Sequence, residues 1–328
     1  MKRISTFALC LCMVLSSTTS CNNQEELNNA DFTEQAQQAV ALEQLNSEFS
    51  QLNQQKKIEG GGVETRSLRS FFRKFFCVVG ADLLGAATTL WGGPALVVSG
   101  AAASSSWAIH KVRKGTLDLD TQLYPSVIGG GDGLGTPNFG TNRPKDPISE
   151  SSDKLKDLIP KRGITPTFAD SVGYYHNQVI MGLANEKSNW LTLDKISLSK
   201  GLATTVENCV GITADSKLSD ADIKKVADNA DVIAKIVDEA NDVDELMDAM
   251  IKVYPDQKAK LNVLREVLKG FEQCKEMDQD GLGYAEDLLK ILDKYNLDED
   301  TKNQIVSGIV VANASSKLWN PDYVPENK

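Results

Sequence analysis

The chain has 328 residues, with 35 Lys and Arg against 45 Asp and Glu and a formal charge of −10. That acidic balance argues against a nucleic-acid binder, which needs a basic footprint. The length allows one large domain or two smaller ones.

The first residues follow the order of a secretory signal. Lys2 and Arg3 form a basic start, Ile4 to Leu15 an apolar run, and Ser16 to Ser20 a string of small residues before Cys21. The apolar run falls short of the about 20 residues that a bilayer span needs. Leu15-Ser16-Ser17-Thr18-Thr19-Ser20-Cys21 resembles a bacterial lipoprotein processing site. The acidic pair in Asn22-Asn23-Gln24-Glu25-Glu26 resembles the surface-export signal of some Gram-negative lipoproteins. The resemblance implies a signal peptide over 1–20, an acyl-modified (palmitate-type) Cys21, and an outer-membrane lipoprotein displayed at the cell surface. Stable anchoring takes more than one acyl chain, which such processing supplies. Loss of the two cations Lys2 and Arg3 takes the charge from −10 to about −12. The competing reading is cleavage at a nearby small residue, giving an unanchored exported protein.

Residues 21–62 read as anchor and tethering helix. Leu42, Leu45, Phe49 and Leu52 alternate at spacings of three and four, too briefly to argue for a coiled coil. Gly60-Gly61-Gly62 ends the segment.

Residues 63–114 read as a Gly/Ala-rich helical hairpin. Phe71, Phe72, Phe75 and Phe76 mingle with Arg69, Arg73 and Lys74, and His110-Lys111-Val112-Arg113-Lys114 closes the far end. Between them the chain is apolar and small, with Trp91-Gly92-Gly93-Pro94 as the turn. Gly80, Gly85 and Gly100 permit two helices to approach closely. Asp82 is the lone carboxylate between Phe71 and Lys114, expected to cap a helix or to pair with Arg73 or Lys74. Glycine-zipper stretches with basic flanks are similar to those of class II bacteriocins, which implies membrane activity. The competing expectation is the core of a helical unit, favoured by the cost of a carboxylate in lipid.

Residues 115–151 are a Gly/Pro linker. The run Gly129-Gly130-Gly131-Asp132-Gly133-Leu134-Gly135 lacks a preceding strand and a Lys-Ser/Thr ending, so it is no phosphate loop.

Residues 152–328 read as an antiparallel helical bundle. Ile223, Val226, Ala227, Ala230, Ile233, Ala234 and Val237 form a stripe of helical period, behind Ser219 as N-cap. Pro255 opens a helix carrying Leu261, Leu264, Leu268 and Phe271. Further stripes are Leu288, Leu289 and Leu292, then Ile305, Val306, Ile309 and Val310. Short links such as Asn241-Asp242 imply antiparallel neighbours.

Chemistry-bearing residues are sparse. There are 2 histidines, His110 and His176, without nearby cysteines at zinc spacing, so neither a metal nor another cofactor is expected. Asp170 and Ser171 lie near His176, but neighbours on one helix do not make a triad, and no Gly-x-Ser-x-Gly elbow exists. Gly173-Tyr174-Tyr175-His176-Asn177 is similar to a helix opening that recurs in bacterial surface proteins of unknown function. His176 and Asn177 are expected to hydrogen-bond within their domain, with a ligand or partner site as the competing role. Asp278, Asp280 and Gly283 match positions of a calcium loop, but Leu289 stands where its bidentate glutamate belongs. An exported compartment permits a Cys209–Cys274 disulfide; otherwise Cys77, Cys209 and Cys274 stay buried thiols.

The sequence therefore predicts an all-α lipoprotein: a Gly/Ala-rich hairpin plus a C-terminal antiparallel bundle. Its partners are a membrane, through the lipid, and an unidentified protein or glycan, with no nucleic acid. The expected role is non-enzymatic binding, with membrane activity through residues 66–114 as the alternative.

Overall fold

A computed structural model describes residues 23–59, 66–87, 94–113, 159–162, 167–185, 192–210, 217–276 and 281–318. Among these residues every helix or strand element is helical, so the chain is all-α. The helices are α1 (Asn23–Glu59), α2 (Arg66–Ala87), α3 (Pro94–Arg113), α4 (Phe168–Asn185) and α5 (Lys195–Val210). They continue with α6 (Asp220–Glu239), α7 (Val243–Val253), α8 (Lys258–Glu276), α9 (Gly281–Leu292) and α10 (Glu299–Leu318). The chain divides into two compact units, 1–40 and 41–328. The described part of the first is the polar opening of α1.

Local chemistry sets several of these boundaries. Ser219 caps α6 by accepting from the Asp222 N–H, and Asp220 and Asp222 sit favourably at its positive end. The buried residues of α6 are the seven of the predicted stripe. Asp242 caps α7 by accepting from the Glu245 N–H at 2.9 Å, while Glu245 accepts from the Asn241 N–H at 3.0 Å. That reciprocal pattern works as a capping box does. Pro255 starts a single 3₁₀ turn that leads into α8.

The α2–α3 hairpin lies at the centre of the second unit. The described side chains of α2 from Phe76 onward are buried, as are those of α3 from Ala95 to Ser105. A helix apolar around its whole circumference must be covered by protein or by lipid. Here α6, α7, α8 and α10 cover α2, and α4, α5 and α6 cover α3. Small residues set the spacing. A Cβ at Gly85 would stand 2.4 Å from the Ser99 carbonyl oxygen, so α2 and α3 touch backbone to backbone. A Cβ at Gly173 would stand 2.2 Å from the Val310 carbonyl oxygen, which makes α4 and α10 a second tight pair.

The domain boundaries read from sequence differ from this arrangement. Residues 63–114 and 152–328 do not form separate bodies, because the stripes of α4, α6, α8 and α10 bury against the hairpin as well as against one another. The tethering segment also differs. Its stripe residues Leu42, Leu45 and Phe49 are buried in the second unit. Asn53 Nδ2 donates to the Glu266 carbonyl at 2.9 Å, and the Tyr284 hydroxyl donates to Asn53 Oδ1 at 2.6 Å. A stripe of barely two heptads is too short to self-associate, and it joins the core of the second unit instead.

Gly60 to Gly62, the turn at residues 91–93, the linker 115–151 and the tail from Trp319 lie outside the described residues.

Candidate functional site

One charged cluster occupies the middle of the second unit, where the hairpin meets the α4–α10 pair. Asp82 of α2 and His176 of α4 are both 0% exposed. His176 Nε2 lies 3.0 Å from Asp82 Oδ1. On the other side of the ring, Nδ1 lies 3.0 Å from Asn177 Oδ1. Asn177 Nδ2 donates to the Ala314 carbonyl at 2.8 Å, and the Ser315 hydroxyl donates to Asp82 Oδ2 at 2.5 Å. Three helices thus close around one imidazole and one carboxylate, with Gly100 of α3 on the ring's flank. A Cβ at Gly100 would stand 3.4 Å from His176 Cδ2.

An amide oxygen accepts, so the ring presents Nδ1–H to Asn177, and the Asp82 carboxylate 3.0 Å from Nε2 favours the imidazolium by its charge. Burial by itself pushes the imidazole toward its neutral form. The Asp82 charge and the hydrogen bonds of Asp82 and Asn177 outweigh that, and the His176 pKa stands above its ordinary 6.5. The pair is a buried ion pair, with Asn177 on the ring's Nδ1 and Ser315 on Asp82 Oδ2. Such pairs fix geometry better than they add stability.

A second cluster clasps the ends of α4, α9 and α10. Arg162 Nη1 lies 3.3 Å from Asp170 Oδ1, and Nη2 lies 2.5 Å from Asp293 Oδ1. Lys302 Nζ reaches the same Asp293 Oδ1 at 2.9 Å. Burial raises the Asp293 pKa, but Arg162 and Lys302 more than compensate and hold it below the ordinary carboxylate value. Asp170 also accepts from the Thr167 N–H at 2.6 Å and hydroxyl at 2.8 Å, capping α4. Its carboxylate therefore serves Arg162 and the helix start, not His176, and the sequence neighbours Asp170 and Ser171 do not assemble a triad.

The other candidates fall out as follows. His176 and Asn177 do come together, with each other and with Asp82. Asp82 takes His176 and Ser315 as partners; the side chains of Arg73 and Lys74 lie outside the described residues. Cys274 is buried, and the Cys209 side chain, the other half of the expected Cys209–Cys274 pairing, lies outside the described residues. Cys21 also lies outside them. Of the calcium-like loop, Asp278 and Asp280 lie outside, and Gly281 to Leu289 belong to α9. Among the described residues no group of three or more His, Cys, Asp or Glu could hold a metal ion. None of their helices is long and apolar enough to cross a membrane.

Sequence reasoning found His176 and Asn177 but missed Asp82 as their partner, and missed Ser315 and Arg162 altogether. The signal for Asp82 was its solitude in an apolar segment. Arg162 stands in an unpatterned strap before α4 and gave no signal.

Comparison with protein-family models, with curated proteins and with solved structures gives no match to this chain.

Proposed function

We propose that this chain is a lipoprotein anchored through Cys21 in the outer membrane, displayed at the cell surface, and working by non-enzymatic binding to a protein or glycan. The observation that carries the non-enzymatic part is the state of His176. Its ring lies between Asp82 and Asn177 at 0% exposure, so this histidine, set beside a carboxylate, is spent on holding helices together. A catalytic base must instead reach the proton it removes. The anchoring part rests on the basic start, the apolar run and the small residues before Cys21.

Fatty-acid labelling of cells producing the chain or its Cys21→Ser variant tests the anchor, and protease treatment of intact cells tests display. The chain should label, fractionate with membranes and be cut from outside; the variant should do none of these. Labelling of Cys21→Ser, or protection of the wild type from protease, defeats the reading.

A second reading assigns membrane activity to residues 66–114. What favours it is the hairpin's apolar circumference between basic ends. What weighs against it is Asp82, which an inserting hairpin would have to strip of His176 and Ser315. Dye release from anionic vesicles by the intact chain would promote this reading to first place.

A further inference from the structure

The Asp82–His176 contact does more than fill a polar gap in the core. It is the one buried ion pair, among the described residues, that joins the hairpin to the helices covering it. The hairpin and the α4–α10 pair are each tied internally by backbone contact at Gly85 and Gly173. Between them the contacts are small and apolar: Gly308 of α10 lies against Leu83 and Ala87, and Gly100 of α3 lies against the His176 ring. Polar links across that boundary include Asp82 with His176 and Asp82 with Ser315.

We propose that the Asp82–His176 pair is a proton-operated latch: protonated, it holds the α2–α3 hairpin against the α4–α10 pair, and on losing its proton it lets that boundary part.

The geometry dictates the direction. The Asn177 amide cannot turn to offer a donor, because its Nδ2 is occupied by the Ala314 carbonyl. A neutral imidazole therefore sets one bare ring nitrogen against an acceptor oxygen at 3.0 Å, whichever tautomer forms. That fault falls on the boundary itself, since opening it admits water to the ring.

Among the described residues the remaining buried charged groups are Arg162 and Asp170, which pair with each other, and Lys260 of α8, which meets Gln304 of α10 and whose pKa burial pulls down to about 8 in wild type and His176 variants alike. Among those residues, α3, α5, α6, α7, α9 and α10 turn no buried charged side chain inward. Burial raises the pKa of the Tyr284 hydroxyl, and the Asp82 charge raises that of His176.

His176 has a raised pKa in the closed state, so the latch is fully engaged below the open-state value of 6.5 and is lost as pH rises through the closed-state value. The open population should climb toward about tenfold per pH unit within that window and then level off.

Amide hydrogen exchange on the full chain at several pH values, with exchange times scaled to the intrinsic chemical rate, reads this opening. Protection should fall together in residues 76–87 and 168–180 above pH 6.5, while α7 and α8 hold theirs. The Asp82→Asn, His176→Gln double variant keeps hydrogen-bonding groups without charge and keeps Lys260, so it should lack the wild type's fall in those two segments. Equal pH dependence in wild type and double variant overturns the latch. So does first opening in α7 or α8. A second measurement needs no folded variant. The ring-proton resonance of His176, one of only 2 histidines, should titrate with a midpoint above 6.5. A midpoint at or below 6.5 also overturns it.

Discussion

Asn177 on α4 donates its side-chain amide to the backbone carbonyl of Ala314 on α10, at 2.8 Å. That bond determines which end of the amide faces His176. With Nδ2 spent on the carbonyl, Oδ1 points at the ring nitrogen, and the ring must supply a proton. A link between two helices thereby selects the protonation of a third group, and Asp82 completes the selection from the opposite side.

Asn177→Leu should therefore cost more than one hydrogen bond. It leaves the Ala314 carbonyl and the His176 Nδ1–H both buried and unmet. Unsatisfied buried groups cost about 1–3 kcal/mol each. Urea denaturation should show a loss of about 2–5 kcal/mol, and Asn177→Asp should fall short of restoring it because a carboxylate cannot donate to the carbonyl. A loss below about 1 kcal/mol for Asn177→Leu would mean the amide is not holding the ring.

Gly85→Ala tests the packing of the hairpin. The new methyl would stand 2.4 Å from the Ser99 carbonyl oxygen and 2.9 Å from the Gly100 Cα, which are backbone atoms and cannot swing away. The helices must separate. Overpacking of this kind costs about 1–3 kcal/mol or more. By contrast Gly201→Ala meets nothing within 4 Å and replaces a mid-helix glycine of α5. It should stabilise by about 0.5–1 kcal/mol. Thermal melts of the two variants should move in opposite directions.

What the sequence made legible was whatever repeats along one helix. The α6 stripe, the Ser219 cap and the all-α class each rest on spacings of three to four residues or on adjacent chemistry. What it hid was whatever pairs across helices. Asp82 and Ser315 are 233 residues apart, and no local pattern distinguishes Ser315 from other serines. Asp82 and the His176-Asn177 dipeptide each stood out, one as a lone charge and the other as polar residues on an apolar face. Nothing in either environment named the other. The position of the hairpin was hidden for a related reason. An all-round apolar helix says that it must be covered, but not by which elements.

Lys260 offers a pH test independent of the latch. Lys260 is 7% exposed, and its ammonium is bonded to Gln304. Burial pulls its pKa down to about 8, and the Asp298 carboxylate opposes this only in part. Here the folded state binds the proton less tightly than the unfolded chain, whose lysines titrate near about 10.4. Stability from this group therefore rises with pH between about 8 and about 10.4. Lys260→Gln keeps a partner for Gln304 and removes the charge. Wild-type stability measured relative to this variant should grow by up to about 3 kcal/mol from pH 7 to pH 11. A difference that stays constant with pH would show that the ammonium is not desolvated.

The last test concerns how the chain may be cut. The stripes of α6, α8 and α10 suggest a bundle complete from residue 152 onward. In the structure the centre of that bundle is the hairpin. Leu83 and Leu84 of α2 and Leu96 and Val97 of α3 are all at or below 2% exposure, and α4, α6, α8 and α10 close on that hairpin. Removing it uncovers the inner faces of several helices at once, together with His176 stripped of Asp82. Each large apolar side chain left bare forfeits about 1.5–3 kcal/mol of burial, against a total stability of about 5–15 kcal/mol for a domain. A fragment of residues 152–328 should therefore keep much of its helical circular dichroism yet melt without cooperativity and bind a hydrophobic dye. A chain of residues 41–328 retains the docked half of α1 as well as the hairpin, and should melt in one sharp transition. Asn53→Ala within it should lower the midpoint, since the Glu266 carbonyl and the Tyr284 hydroxyl lose their common partner. A cooperative melt of 152–328 alone would show that the helices covering the hairpin can close without it.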